Sequence, residues 1–471
     1  MDSERRNTAT EFSYMLHRQG SDDSAEVHAF DDIKSLIKND AGAKSDSLSS
    51  LPQAAFNYIN SIVGSGVIGI PYAFHKAGFG LGLMLLILVA YVTDYSLILM
   101  VRCGHMCGRF SYPGIMEAAY GKWGYYLLSI LQFTYPFLAM ISYNVVVGDT
   151  LSKVLVRFMP TWGASMGAVR AAVVFVVTIG IIAPLCLYKN VSRLARASFL
   201  SLVCVVFILF AVVCKLISGE YNVVDLYDES SRFFSHRSGT QNSWEFANAD
   251  IVPATGVMAF AFMCHHNTFI IYQSMRNASL DRWERVTHIS LAFAWSVAAL
   301  FGIAGYSMFR SLSQGDLLEN FCWTDDLMNF CRVLFSFSIL LTFPFECFVS
   351  REIVKTQLQR FITSELPELD KEKDPSQQTE DNDRHSMIIT LSILFLAFII
   401  SPMTDCLGSV LELNGILAAI PLAYVLPGLA FIQLEPHSLY SREKLPAVAL
   451  VTFGVIFTIA GEYFVFFYII S

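Results

Sequence analysis

The chain has 471 residues, of which 54% are hydrophobic and only 15% charged, well below the roughly 25% charged fraction usual for soluble domains. That excludes a pair of water-soluble domains and points to an all-α polytopic membrane protein, with the lipid bilayer as its first partner. With a formal net charge of −8, no nucleic-acid partner is expected.

Residues 1–50 are polar, mixed in charge and rich in Ser and Asp, a composition that cannot bury enough apolar surface to fold alone. They are expected to form a disordered cytosolic tail, and no apolar h-region of a cleaved signal peptide stands near Met1. Within the tail, Asp32 followed by Leu36-Ile37 has the form of an acidic dileucine sorting signal. It keeps a lysosomal or endosomal address open beside the plasma membrane.

A bilayer core of about 30 Å needs about 20 apolar residues per helix. Such runs fall at 51–74, 80–101, 125–148, 168–187, 197–217, 251–273, 287–309, 327–349, 386–402, 407–432 and 446–469, eleven in all, the ninth being the shortest. Placing the N-terminus inside puts seventeen Lys and Arg on inner connections against nine on outer ones, the bias expected of that orientation. Eleven spans then leave the C-terminus outside. The 218–250 connection would face the exterior or a lumen, and the charged 350–385 connection the cytosol.

The first run is written to break. Its core, Gly64-Ser65-Gly66-Val67-Ile68-Gly69, formally matches the dinucleotide fingerprint, but no strand precedes it and no soluble βαβ unit surrounds it. Two readings stand: close helix packing through small residues, or a discontinuous helix that exposes backbone to a ligand. The sixth run decides between them. It carries Cys264, His265, His266 and Asn267 at its middle, and such groups are costly at membrane depth unless they face a cavity or a partner. Runs one and six cross in opposite directions, and paired interruptions in inverted halves point to a transporter site at the midplane.

The remaining polar positions read less sharply. The ten cysteines sit mostly in or beside apolar runs, as small soft hydrophobes do. Cys103, His105 and Cys107 in "CGHMCG" supply only three ligands, too few for a structural zinc site. Asp94, Glu346, Glu412 and Glu462 are carboxylates within spans. Solvation or an ion pair with Arg351 would account for Asp94 and Glu346, whereas Glu412 beside Asn414 stands out as a candidate proton carrier. His265 and His266 are the midspan groups that titrate near neutrality when unperturbed, and are proton-coupling candidates too.

"NYINSIVGSGVIGIPYAFHKAGFGLG", "FAFMCHHNTFIIYQS" and "LTFPFECFVSREI" resemble the amino acid/auxin permease superfamily and, within it, the sodium-coupled neutral amino acid transporters. "TYPFLAMISYNVVVGDTLSKV" and "DCLGSVLELNGILAAIPL" extend the similarity over about residues 51–430. The resemblance implies a five-plus-five inverted repeat, residues 51–217 and 251–432, with an eleventh helix at 446–469. It also implies neutral amino acids as substrates, and sodium near Asn60 and Thr342. The residue-level alternative for Thr342 is a hydrogen bond to its own helix. In several relatives a disulfide joins the loops after spans five and seven. Here the 218–250 connection has no cysteine, so Cys322 could pair only with Cys331 or Cys406.

A zwitterion needs a positive and a negative end. Freed amides around Ser65, Gly66 and Val67 would hold the carboxylate. Carbonyls near Ile62, Gly64 and the Cys264–His266 break would take the ammonium, and Phe262 and Cys264 would read the side chain. The expected function is secondary active transport of neutral amino acids, sodium-coupled and with proton exchange open. The alternatives are a proton-driven vacuolar-type exporter and an amino acid sensor that transports little. No nucleophile–base pair or complete metal set suggests an enzyme, and no cofactor besides the coupling ion is expected.

Overall fold

The computed structural model describes residues 49–187, 191–219, 244–365, 375–404, 406–439 and 441–469. The tail with Asp32 and Leu36-Ile37, and most of the 218–250 connection, lie outside the described residues. The described residues are almost entirely helical: α1 Leu51–Ile62, α2 Ile70–Ala77, α3 Phe79–Cys107, α4 Tyr112–Phe158, α5 Met166–Leu187, α6 Val191–Ser218, α7 Ile251–Ala261, α8 Thr268–Ser274, α9 Leu280–Phe309, α10 Asp326–Glu365, α11 Pro375–Ile400, α12 Leu407–Leu434 and α13 Leu445–Ile469.

Among the described residues, nine helical segments are long and apolar enough to cross a membrane, α7 and α8 counting together as one. The other two expected spans are the interrupted Leu51–Ala77 segment and the shorter apolar helix Arg384–Ile400. A broken segment, four continuous helices, a second broken segment, four continuous helices and one more follow in that order.

Local chemistry sets the helix ends. Ser111 starts α4 by accepting a hydrogen bond from the Gly114 amide at 3.2 Å, with Pro113 in the first turn, where its missing N–H is not needed. Gly121, at φ 63°, then separates the short stretch before it from the spanning part of α4, so the apolar run begins only after it. At the other end of the range, α10 continues to Glu365 and α11 starts at Pro375. The expected 350–385 loop is therefore largely helix, because its Glu, Lys, Gln and Arg residues favour the helical state.

The two broken segments cross antiparallel. The first half of one (α1) lies on the second half of the other (α8), joined by Tyr58 and Thr268 hydroxyls 3.0 Å apart. The second half (α2) and the turn before it lie on α7, where a Cβ on Gly69 would sit 3.3 Å from Val257. Beyond α2, the chain turns at Gly78 (φ 85°) so tightly against Ala247 that a Cβ there would fall 2.7 Å from its backbone. The Phe79 and Leu81 amides donate to Glu245 and Phe246 carbonyls at 2.8 and 2.9 Å, which pins the end of the 218–250 connection over this face.

Candidate functional site

The first break begins where α1 ends at Ile62. The Val63 amide bonds back to Ile59 O at 2.8 Å, and the carbonyls that follow have no next turn to accept from. A 3-10 turn, Ser65–Gly69, then leads into α2, and the first amides of such a turn lack intrahelical partners. The two glycines do different work. A Cβ on Gly64 would meet nothing within 4 Å, whereas one on Gly66 would lie 2.6 Å from Ala261 Cα. Gly64 leaves backbone open, and Gly66 lets the two broken segments touch. The helix is thus interrupted at Gly64 and closely packed at Gly66.

The second break follows Ala261. Phe262 and Met263 amides bond to Met258 and Phe260 carbonyls, Cys264 leaves the helix at φ −142°, and His265–Asn267 form a short turn into α8. Polar side chains sew the breaks together. Cys264 Sγ donates to Tyr58 Oη at 3.3 Å, and Asn267 Nδ2 donates to Ser61 Oγ at 2.7 Å. At the N-terminal face Ser49 pairs with the end of α8, its amide to Ser274 O at 2.9 Å and the Arg276 amide to Ser49 O at 3.0 Å. Ile62, Val67, Phe262 and Cys264 are buried, while Gly64 and Ser65 are half-buried at the opening.

The adjacent histidines part company. His265 turns to α3 and α12: its Nε2 lies 3.2 Å from Ser96 Oγ, whose own proton goes to Ala423 O. His265 Nε2 is therefore the donor, and the ring is fixed in the scaffold. His266 turns the other way, its ring 5.9 Å from Tyr135. It lines a small cavity with Gln132, Tyr135, Pro136, Met263, Glu346, Val349 and Leu422.

Thr342 on α10 is half-buried and donates to its own helix, at Ile339 O (3.1 Å) and Ser338 O (3.3 Å). With its proton spent there, the hydroxyl oxygen can act toward other groups only as an acceptor. The Tyr143 hydroxyl on α4 approaches both Ser65 and Thr342, so the first break and the α10 threonine share one neighbourhood. Asn60 is half-buried in the last turn of α1 and makes no side-chain hydrogen bond among the described residues.

The carboxylates fall out differently from their order of interest in the sequence. Glu412 is held by Tyr72 Oη at 2.9 Å and lies 3.7 Å from Lys76, which also reaches Asp250 at 3.6 Å. It latches α12 to α2. Asp94 pairs with His288 at 2.7 Å. Arg351 is committed to Glu352 at 3.4 Å, and Glu346 keeps a buried Oε2 with no partner. The cavity carboxylate is thus Glu346; its only signal in the sequence was a glutamate inside an apolar run. All ten cysteines are free, Cys322 accepting from Thr324 at 3.1 Å and Cys406 exposed. His105 bonds to Tyr272 at 2.7 Å rather than joining Cys103 and Cys107.

The chain is similar to known membrane transporters in sequence and fold. The family model described as "Transmembrane amino acid transporter protein" matches residues 47–467. A Danio rerio protein named "Putative sodium-coupled neutral amino acid transporter 11" is 39% identical, over 90% of this chain and 88% of that one. The "Vacuolar amino acid transporter 2" of Saccharomyces cerevisiae is 31% identical, over 92% and 86%. Among solved structures, MhsT in complex with L-phenylalanine shares the fold, with a TM-score of 0.52 at 11% identity, over 86% of this chain and 98% of that one. The chain belongs to the transmembrane amino acid transporter protein family, a family of multi-pass membrane transporters.

Proposed function

We propose that the protein is a secondary active transporter of neutral amino acids, driven by sodium and working by alternating access, with its N-terminus in the cytosol. The observation that carries this reading is the pair of antiparallel breaks held side by side by Tyr58, Ser61, Cys264 and Asn267. Freed amides at Ser65–Val67 suit a substrate carboxylate. Carbonyls after Ile59 and around Gly64 suit its ammonium. No charged side chain is then needed for either end.

Sodium prefers hard oxygen ligands. Thr342 Oγ1 and the carbonyls ending α1 supply neutral oxygens, and Asn60 adds an amide oxygen in the last turn of α1. Alternating access would follow from opening the Ser49–α8 contacts at one face and the Lys76–Glu412 latch at the other. The test is uptake of labelled neutral amino acids into proteoliposomes, with sodium replaced by choline at two pH values. Uptake should fall on replacement. Flux that ignores sodium and follows only a proton gradient would overturn the sodium assignment.

A further inference from the structure

The cavity beside the second break contains two buried groups whose hydrogen-bonding capacity is unused. His266 Nε2 lies 3.0 Å from Asn267 Nδ2, which donates its other hydrogen to Ser61. Nε2 is therefore the acceptor, and the neutral ring carries its proton on Nδ1. That Nδ1–H is buried and has no partner. On the facing helix, Glu346 Oε2 is buried and has no partner either, and both residues line the same cavity. An unpartnered donor and an unpartnered acceptor thus border one small cavity, which Gln132, Tyr135, Pro136, Met263, Val349 and Leu422 also line.

A bare carboxylate in such surroundings is costly unless a cation or a proton accompanies it. No basic side chain among the described residues forms an ion pair with Glu346, and Arg351 is turned to Glu352 and the Phe348 ring. The titratable groups facing it are Tyr135 and Tyr143 from α4 and His266 from the turn before α8. None supplies a fixed positive charge.

We infer that Glu346, paired with His266, is a proton-carrying site of this transporter. This rests on the transport reading above and adds to it the group whose loading the cycle alternates. An O–H bond forms when the Glu346 carboxylate takes a proton from water at one face. The same bond breaks when the proton leaves at the other, and His266 Nδ1–H donates to the ionised form in between. Glu346 lies one helical turn beyond Thr342 toward the N-terminal face, so proton release there would be governed by the Ser61–Asn267 and Ser49–α8 contacts.

The test uses purified full-length protein in sodium-free choline buffer. An acid-minus-neutral infrared difference spectrum should show a carboxylic acid band that E346Q loses and E346D retains. In proteoliposomes supplied with a fixed sodium gradient, log uptake against pH should have a slope of about one for a single linked proton, falling to zero in E346Q. H266Q should keep the band and move its midpoint. E346Q that keeps both band and slope overturns the proposal, and an unmoved midpoint in H266Q overturns the pairing. If E346Q does not fold, E346D should shift the frequency of the band and H266Q its midpoint, and an unshifted band in E346D overturns the proposal. A band without amino acid uptake sinks the transport reading alone; uptake without band or slope sinks the proton site alone.

Discussion

Asn267 Nδ2 donates to Ser61 Oγ at 2.7 Å, and this bond joins two helices at the level where each is broken. It ties α1 to the turn that leads into α8, close to the open backbone at Gly64. Asn267→Ala should weaken this clasp by about 1 kcal/mol, the usual net worth of such a bond. Residues of α1 should then exchange amide hydrogens faster while α9 and α10 stay protected. Unchanged exchange in α1 would show that the clasp does not hold the two halves together.

Gly64 and Gly66 should separate function from packing. Gly66→Ala drives a Cβ to 2.6 Å from the Ala261 backbone, overpacking that costs about 1–3 kcal/mol. Its melting temperature in detergent should drop. Gly64→Ala meets nothing within 4 Å, so it should melt as wild type yet show a several-fold higher KM for substrate. Equal stability losses in the two variants would refute the division of labour.

Thr342 tests the coupling ion. Thr342→Val keeps the shape and removes the hydroxyl, which should raise half-saturating sodium about tenfold, or about 1.4 kcal/mol. Thr342→Ser should behave as wild type. A valine variant with an altered substrate KM and an unmoved sodium curve would detach this residue from sodium.

The Lys76–Glu412 latch is buried on both sides. Lys76→Met alone leaves Glu412 and Asp250 facing each other without their cation. Breaking a buried pair from one side costs about 3–5 kcal/mol. Adding Glu412→Gln should recover part of that loss. Additive melting shifts in the double variant would mean the two residues do not interact.

Asp316 gives a pH dependence outside the spans. It caps the Leu317–Asn320 turn, accepting from the Leu318 amide at 2.8 Å, and its other oxygen is buried without a partner. Burial, then the Glu319 charge, push its carboxyl from 3.8 up to about 7. The folded form then binds more protons than the unfolded chain between about pH 4 and 7, so this contribution is full below about pH 4 and lost as pH rises to 7. Asp316→Asn should flatten the fall in melting temperature over that range. A variant whose slope matches wild type would contradict it.

The break at Gly64–Gly66 was legible because glycines and Pro71 cannot be read as an ordinary lipid-facing helix. The break at Cys264–Asn267 was legible for a different reason: consecutive polar groups at membrane depth need an explanation. Less was visible in the carboxylates. Glu412 drew attention through its neighbour Asn414, yet it is Tyr72 and Lys76, far back in the chain, that claim it. Glu346 looked served by Arg351 because the two are close in sequence, but Arg351 turns to Glu352.

What the sequence determined by itself was therefore everything carried by local backbone chemistry: the apolar runs, the two interruptions and the family likeness. Hydrophobic length and helix-breaking residues act within a few positions of themselves, so one chain read in order suffices to find them. The tertiary structure decided which polar groups share a space. Neighbours such as His265 and His266 point about 100° apart on a helix, and an unwound turn adds freedom that no spacing rule captures. Only the packing of α3 and α12 on one side, and α4 and α10 on the other, sends the first ring to Ser96 and the second to the cavity of Glu346.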